Sequence, residues 1–138
     1  MIWLIQILAI QFAISLAKHD APAVSQFEHY GLANKQMARF HRYNTWTKFF
    51  YCAAACLAMY KNWWMMAAAG GLSGLWIWLL FDPALNLTRS PKRSFFYLGL
   101  NDADGRFWNG TFGRNSGKVK FIVLMLLIVG INLLIQFL

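Results

Sequence analysis

Charge in this chain is confined to two blocks. Of its 13 Lys and Arg, five lie in residues 18–48 and seven in 82–120, with Lys61 alone between them. Outside those blocks the chain is apolar over lengths that matter, since a hydrocarbon core of about 30 Å takes roughly 20 helical residues to cross. Residues 1–17 and 121–138 carry no charged side chain, and 49–81 carry only Lys61. With 59% hydrophobic and 13% charged residues among 138, the chain is too apolar for an ordinary soluble domain of this size. Because lipid leaves every backbone polar group to be satisfied internally, the reading is an all-α, polytopic membrane protein forming one domain over 1–138.

Four transmembrane helices are expected. The first is 1–17, which lacks the basic leader of a signal peptide and measures about 26 Å along a helix. The run from 46 to 81 is twice the length of a span. Its central Lys61 and Asn62, flanked by Tyr60, Trp63 and Trp64, suit a hairpin turn at a membrane interface, so 46–60 and 63–81 are read as the second and third spans. The fourth is 121–138. Polar segments 18–45 and 82–120 then share one side, with an interfacial helix expected in the first, limited by Pro22 and Gly31. Counting Lys48 at the adjoining end of the second span, twelve of the 13 basic residues and all five acids fall on that side, giving 12 − 5 = +7. The positive-inside rule makes it cytoplasmic and puts both termini outside. The net charge of +8 would suit nucleic acid in a soluble protein, but topology accounts for it here.

Within the spans, small residues mark close helix approach: Cys52, Ala54, Cys56 and Ala58 on one arm of the hairpin, Gly70 and Gly74 on the other. Packing rather than hydrophobic burial drives association in lipid. That use explains Cys52 and Cys56 more simply than a disulfide or metal would. Amides are conspicuous too. Gln6 and Asn132 both lie about 8 to 9 Å from the outer end of their helices, so they are candidates to hydrogen-bond across a contact between the first and last spans. Gln11 and Gln136 complete the set, and an assembly in which such amides line a polar seam is the alternative.

After the third span, Asp82-Pro83 reads as an N-cap followed by proline, predicting a short helix over 83–89. Asn86 and Arg89 share a face of it near Asp82, and Lys92 and Arg93 follow, which suits a clamp for anionic headgroups or phosphate. The run 101–105 starts like a calcium loop but places Leu100 and Thr111 where ligands belong, so no metal is expected there. His19, His29 and His41 lack metal-site spacing, no nucleophile motif or phosphate-cradling loop is present, and no cofactor is called for.

The pattern Phe81-Asp82, Asn86, Arg89, then Tyr97-Leu98-Gly99 with an acid at Asp102 or Asp104, resembles small four-span membrane proteins of Bacteroidetes and their phages. It covers about a third of the chain. Those proteins commonly have Gly after the Arg, where this chain has Ser90-Pro91. The resemblance implies a bacterial inner-membrane or phage-associated setting and carries no activity with it. By position it nominates Asp82, Asn86, Arg89 and Tyr97 as a shared interfacial site. The expectation is a non-enzymatic membrane protein that self-associates, holin-like or forming a small pore. The alternative is a structural or accessory subunit, in a virion membrane or anchoring a larger complex, that docks partners on its basic loops.

Overall fold

The structure, a computed structural model, describes residues 1–30, 34–98 and 103–137. Gly31, Gly99, Leu100, Asn101 and Asp102 lie outside them. The described residues form helices α1 (Ile2–Tyr30), α2 (Asn34–Leu57), α3 (Trp63–Thr88) and α4 (Ala103–Phe112), a 3-10 turn at Gly113–Asn115, and α5 (Ser116–Gln136). Three stretches are long and apolar enough to cross a membrane: Ile2–Ser25, Trp63–Thr88 and Gly105–Gln136. The chain is thus an all-helical protein with the makings of a membrane bundle.

Helix α3 is the hub, packed on by α1, α2 and α5. Its start is set locally: Asn62 is extended (φ −141°, ψ 111°), and its Oδ1 accepts from the Trp64 and Met65 amides at 3.1 and 3.3 Å. Two of the four donors left open at a helix start are thereby satisfied. The hairpin between α2 and α3 closes on small residues. A Cβ on Gly70 would fall 2.2 Å from Cys56 Sγ, whereas one on Gly74 would sit at an ordinary 3.8 Å from Cys52 Sγ. Of these two, only Gly70 has a neighbour, the Cys56 sulfur, in the space its Cβ would take. Further along, Lys48 Nζ lies 3.4 Å from the centroid of Phe81. On its other flank α3 is met by α1, whose Ala9, Ala13, Ala17 and Ala21 are all at most 2% exposed. These recur every fourth residue and form one ridge, the arrangement that lets two backbones approach.

Several boundaries differ from the sequence expectation. Helix α1 does not stop near residue 17 or at Pro22 but runs through both to Tyr30. Pro22 removes only one backbone bond, and it does so on an exposed face, directly after the Ala ridge has anchored the helix as far as Ala21. Residues 18–45 therefore do not form one interfacial helix; they are shared between the end of α1 and the start of α2. Likewise no new helix begins at Asp82. Helix α3 continues through Pro83 to Thr88, and the Asp82 carboxylate is engaged by Lys120 rather than capping backbone. The helix that carries the fourth expected span begins before 121, since α5 starts at Ser116 and holds Lys118 and Lys120 in its first turns. The expected second span does not stand out by itself, because α2 ends at Leu57 and its first half is polar.

Helix α4 folds back on α5 through the turn at Gly113, whose φ of +56° a side chain would resist. Ser116 Oγ donates to Asn109 Oδ1, and the Trp108 ring, 5% exposed, lies 6.3 Å from that of Trp78.

Candidate functional site

The lower half of α3, the start of α5 and the connection between them gather the residues singled out above. Lys120 Nζ donates to Asp82 Oδ2 at 2.7 Å, and the lysine side chain is only 5% exposed. Lys120 also lies 5.4 Å from the ring of Trp78. A buried ammonium is tolerable when a carboxylate faces it, and the aromatic face adds a smaller attraction. Leu79, Pro83, Phe95 and Phe121 enclose the pair in a crevice of about 10 Å³, room for no more than a water-sized group. Gly117 makes this closure possible: a Cβ there would fall 1.8 Å from the carbonyl oxygen of Phe96. The connection after α3 thus lies directly on the backbone of α5.

One turn beyond Asp82, Asn86 is 3% exposed and is spent on holding that connection. Its Nδ2 donates to the Tyr97 carbonyl at 2.7 Å, and its own carbonyl accepts from the Arg93 amide at 2.9 Å. The fold brings Arg89 and Arg93 to one ring, with guanidinium carbons 5.0 and 5.4 Å from the Tyr97 centroid. Arg89 is 5% exposed, while Lys92 and Arg93 are exposed. The end of α3 is tied to α1 as well: the Ser90 amide donates to Ser25 Oγ at 2.9 Å, and Ser25 donates to the Ala21 carbonyl at 2.8 Å. The six residues nominated from sequence therefore divide. Asp82 belongs to an ion pair with Lys120, Asn86 is a fastener, and Arg89, Arg93 and Tyr97 form a cationic, aromatic corner with Lys92 beside it.

Comparison with protein-family models, curated proteins and solved structures finds no match.

A second polar cluster lies within the apolar part of the bundle. Gln6 and Asn132 form a reciprocal amide pair, Gln6 Nε2 donating to Asn132 Oδ1 at 2.8 Å and Asn132 Nδ2 to Gln6 Oε1 at 3.1 Å. Trp76 Nε1 donates to the same Gln6 oxygen at 2.9 Å, and Asn132 Nδ2 also reaches the Ile128 carbonyl at 2.8 Å. Trp76 is 13 residues, or about 20 Å, from the start of α3, so along that helix the cluster lies farther from the end than the 8 to 9 Å at which Gln6 and Asn132 lie in theirs. Sequence reasoning missed the indole, because an aromatic in an apolar run carries no sign of a donated hydrogen bond.

It also missed a third cluster. Asp20 and Asn44, 3% and 6% exposed, meet between α1 and α2 with Asn44 donating to the carboxylate. His19 Nδ1 lies 3.0 Å from the other carboxylate oxygen, its ring open to the surroundings. A lone Asp beside Pro22 gave no local hint of a partner 24 residues later.

Proposed function

We propose that this chain is a non-enzymatic integral membrane protein with four crossings that self-associates, acting as a small pore or holin-like lesion former in a bacterial inner membrane or phage-associated membrane. The observation that carries this reading is the internal closure of the Gln6, Trp76 and Asn132 cluster. Its amides and indole satisfy one another, so one chain offers no polar path through its own apolar zone, and a path requires several chains.

Support for a fourth crossing comes from the register of the hairpin. Cys56 against Gly70, Cys52 beside Gly74 and Lys48 over Phe81 place the apolar half of α2 antiparallel to α3 at the same depth. That register supports reading residues 46–60 as a crossing beside α3. Lys48 then comes level with the end of the apolar run of α3, where a cation belongs. Four crossings put both termini on one side, and the basic loops on the cytoplasmic side by the positive-inside rule.

Dye leakage and membrane potential, followed in cells expressing the chain, test the pore; detergent-solubilised mass reports assembly. Rapid depolarisation with a defined oligomer is expected, and tight membranes around a monomer would end the proposal. For orientation, Lys61→Cys should label from outside and Arg114→Cys from inside; the reverse pattern overturns it. The second reading, an accessory subunit or membrane anchor, draws on the ordered corner of Arg89, Lys92 and Arg93 around Tyr97, which suits anionic headgroups or an acidic partner. A stoichiometric partner retained in detergent by a chain that leaves membranes tight would favour it.

A further inference from the structure

The two glutamines of α1 have opposite fates. Gln6, 3% exposed, is absorbed into the bundle. Gln11 is exposed, on the face turned away from α3, and no hydrogen-bond partner for its side chain lies among the described residues. It is seven residues before Lys18, about 10 Å along the helix from the first charge. Side chains on a helix tilt toward its N-terminus, so this amide leans deeper into the apolar zone and cannot snorkel to the Lys18 level. An amide left in hydrocarbon is costly, and the bilayer core supplies no water to meet it.

The surrounding residues form a seam. Leu4, Leu8, Gln11, Ser15 and Lys18 are all exposed and are spaced by four, three, four and three residues. That alternation is the repeat on which two helices wrap with a left-handed supercoil. We propose that this face of α1 binds the same face of a second copy, with Gln11 paired to Gln11 of that copy across a two-fold axis along the membrane normal. Two copies inserted alike put this residue at the same depth. An amide both donates and accepts, so the pair closes reciprocally, in the manner already seen between Gln6 and Asn132 at 2.8 and 3.1 Å. Small Ser15 lets the backbones approach, and Lys18, at the seam's end, can turn outward to headgroups. Symmetry about the membrane normal gives Gln11 a partner at its own depth, and the two-fold case closes with one reciprocal pair.

This interface rests on the self-association proposed above, and its test separates the two. The full chain is reconstituted in phosphatidylethanolamine and phosphatidylglycerol vesicles at a series of protein-to-lipid ratios, and association is read by single-molecule photobleaching. Gln11→Leu should weaken association about tenfold, and Gln11→Asn, which keeps the amide, should restore most of it. In a Cys52→Ala, Cys56→Ala background, Leu8→Cys should form an intermolecular disulfide on oxidation, while Leu126→Cys on the exposed face of α5 should not. Association unchanged by Gln11→Leu, or crosslinking through Leu126→Cys instead, overturns this interface and leaves self-association standing. A chain monomeric at every density overturns both. Gln11-dependent dimers in vesicles that stay tight to dye support the interface and count against the pore.

Discussion

Two buried polar clusters hold α5 to the rest of the bundle, and they do so on different terms. Deep in the apolar zone, Gln6, Trp76 and Asn132 are neutral, drawn from three helices, and mutually satisfied. Near the basic end, Lys120 and Asp82 carry full charges in a crevice with almost no free space. The neutral cluster can lose Trp76 or Asn132 and keep a hydrogen bond to Gln6, and whatever a substitution leaves unpaired there carries no charge. The ion pair cannot, because removing one charge strands the other. Polar groups are thus graded by depth: amides where no charge could be afforded, a charge pair only where the boundary is close.

The largest test of that contrast is Asp82→Ala, which leaves Lys120 buried without its carboxylate and should cost about 3 to 5 kcal/mol. Reversible unfolding in mixed micelles would measure it, and Asp82→Ala with Lys120→Met should recover much of the loss. A single-mutant cost no greater than that of an amide substitution would erase the distinction. Gly70→Ala comes next, about 1 to 3 kcal/mol, because its methyl meets Cys56 Sγ at 2.2 Å. Cys56→Ala should relieve that clash, and Gly74→Ala should be nearly silent in the same assay. In the neutral cluster, Gln6→Leu should cost about 1 to 2 kcal/mol. Combined with Asn132→Leu the loss should be clearly less than the sum of the singles, since each removes the same pair of bonds. Strict additivity there would mean that the pair is not a unit.

Much of this bundle could be read before any coordinates. The apolar runs, the turn at Lys61 and Asn62, and the matching depth of Gln6 and Asn132 are properties of spacing, which sequence states directly. Proline misled where tertiary contacts outweighed it: α1 passes through Pro22 and α3 through Pro83, one on an exposed face beside the Ala ridge, the other buried beside an ion pair. Asp82 read locally as a cap because nothing near it announced Lys120, 38 residues on. Asn86 was nominated for an interfacial site, and what it fastens, the Tyr97 carbonyl, is a backbone group that sequence cannot point to. The Ala9, Ala13, Ala17 and Ala21 ridge was legible and passed over, because glycines and cysteines in the hairpin drew the small-residue argument elsewhere.

That ridge has a consequence for how the bundle comes together. Alanine has no rotamers to surrender, so along this ridge α1 meets α3 at no side-chain entropy cost of its own. The other contacts of α3 do require choices: Cys56 turns its sulfur into the space over Gly70, and Lys120 must extend to Asp82. The α1 and α3 pair is therefore the contact that separately inserted helices can make first, a smooth rail against which α2 and α5 are afterwards fitted. Ala13→Leu, by roughening that rail, should slow assembly of the whole bundle in a refolding time course more than any equally large change on α5.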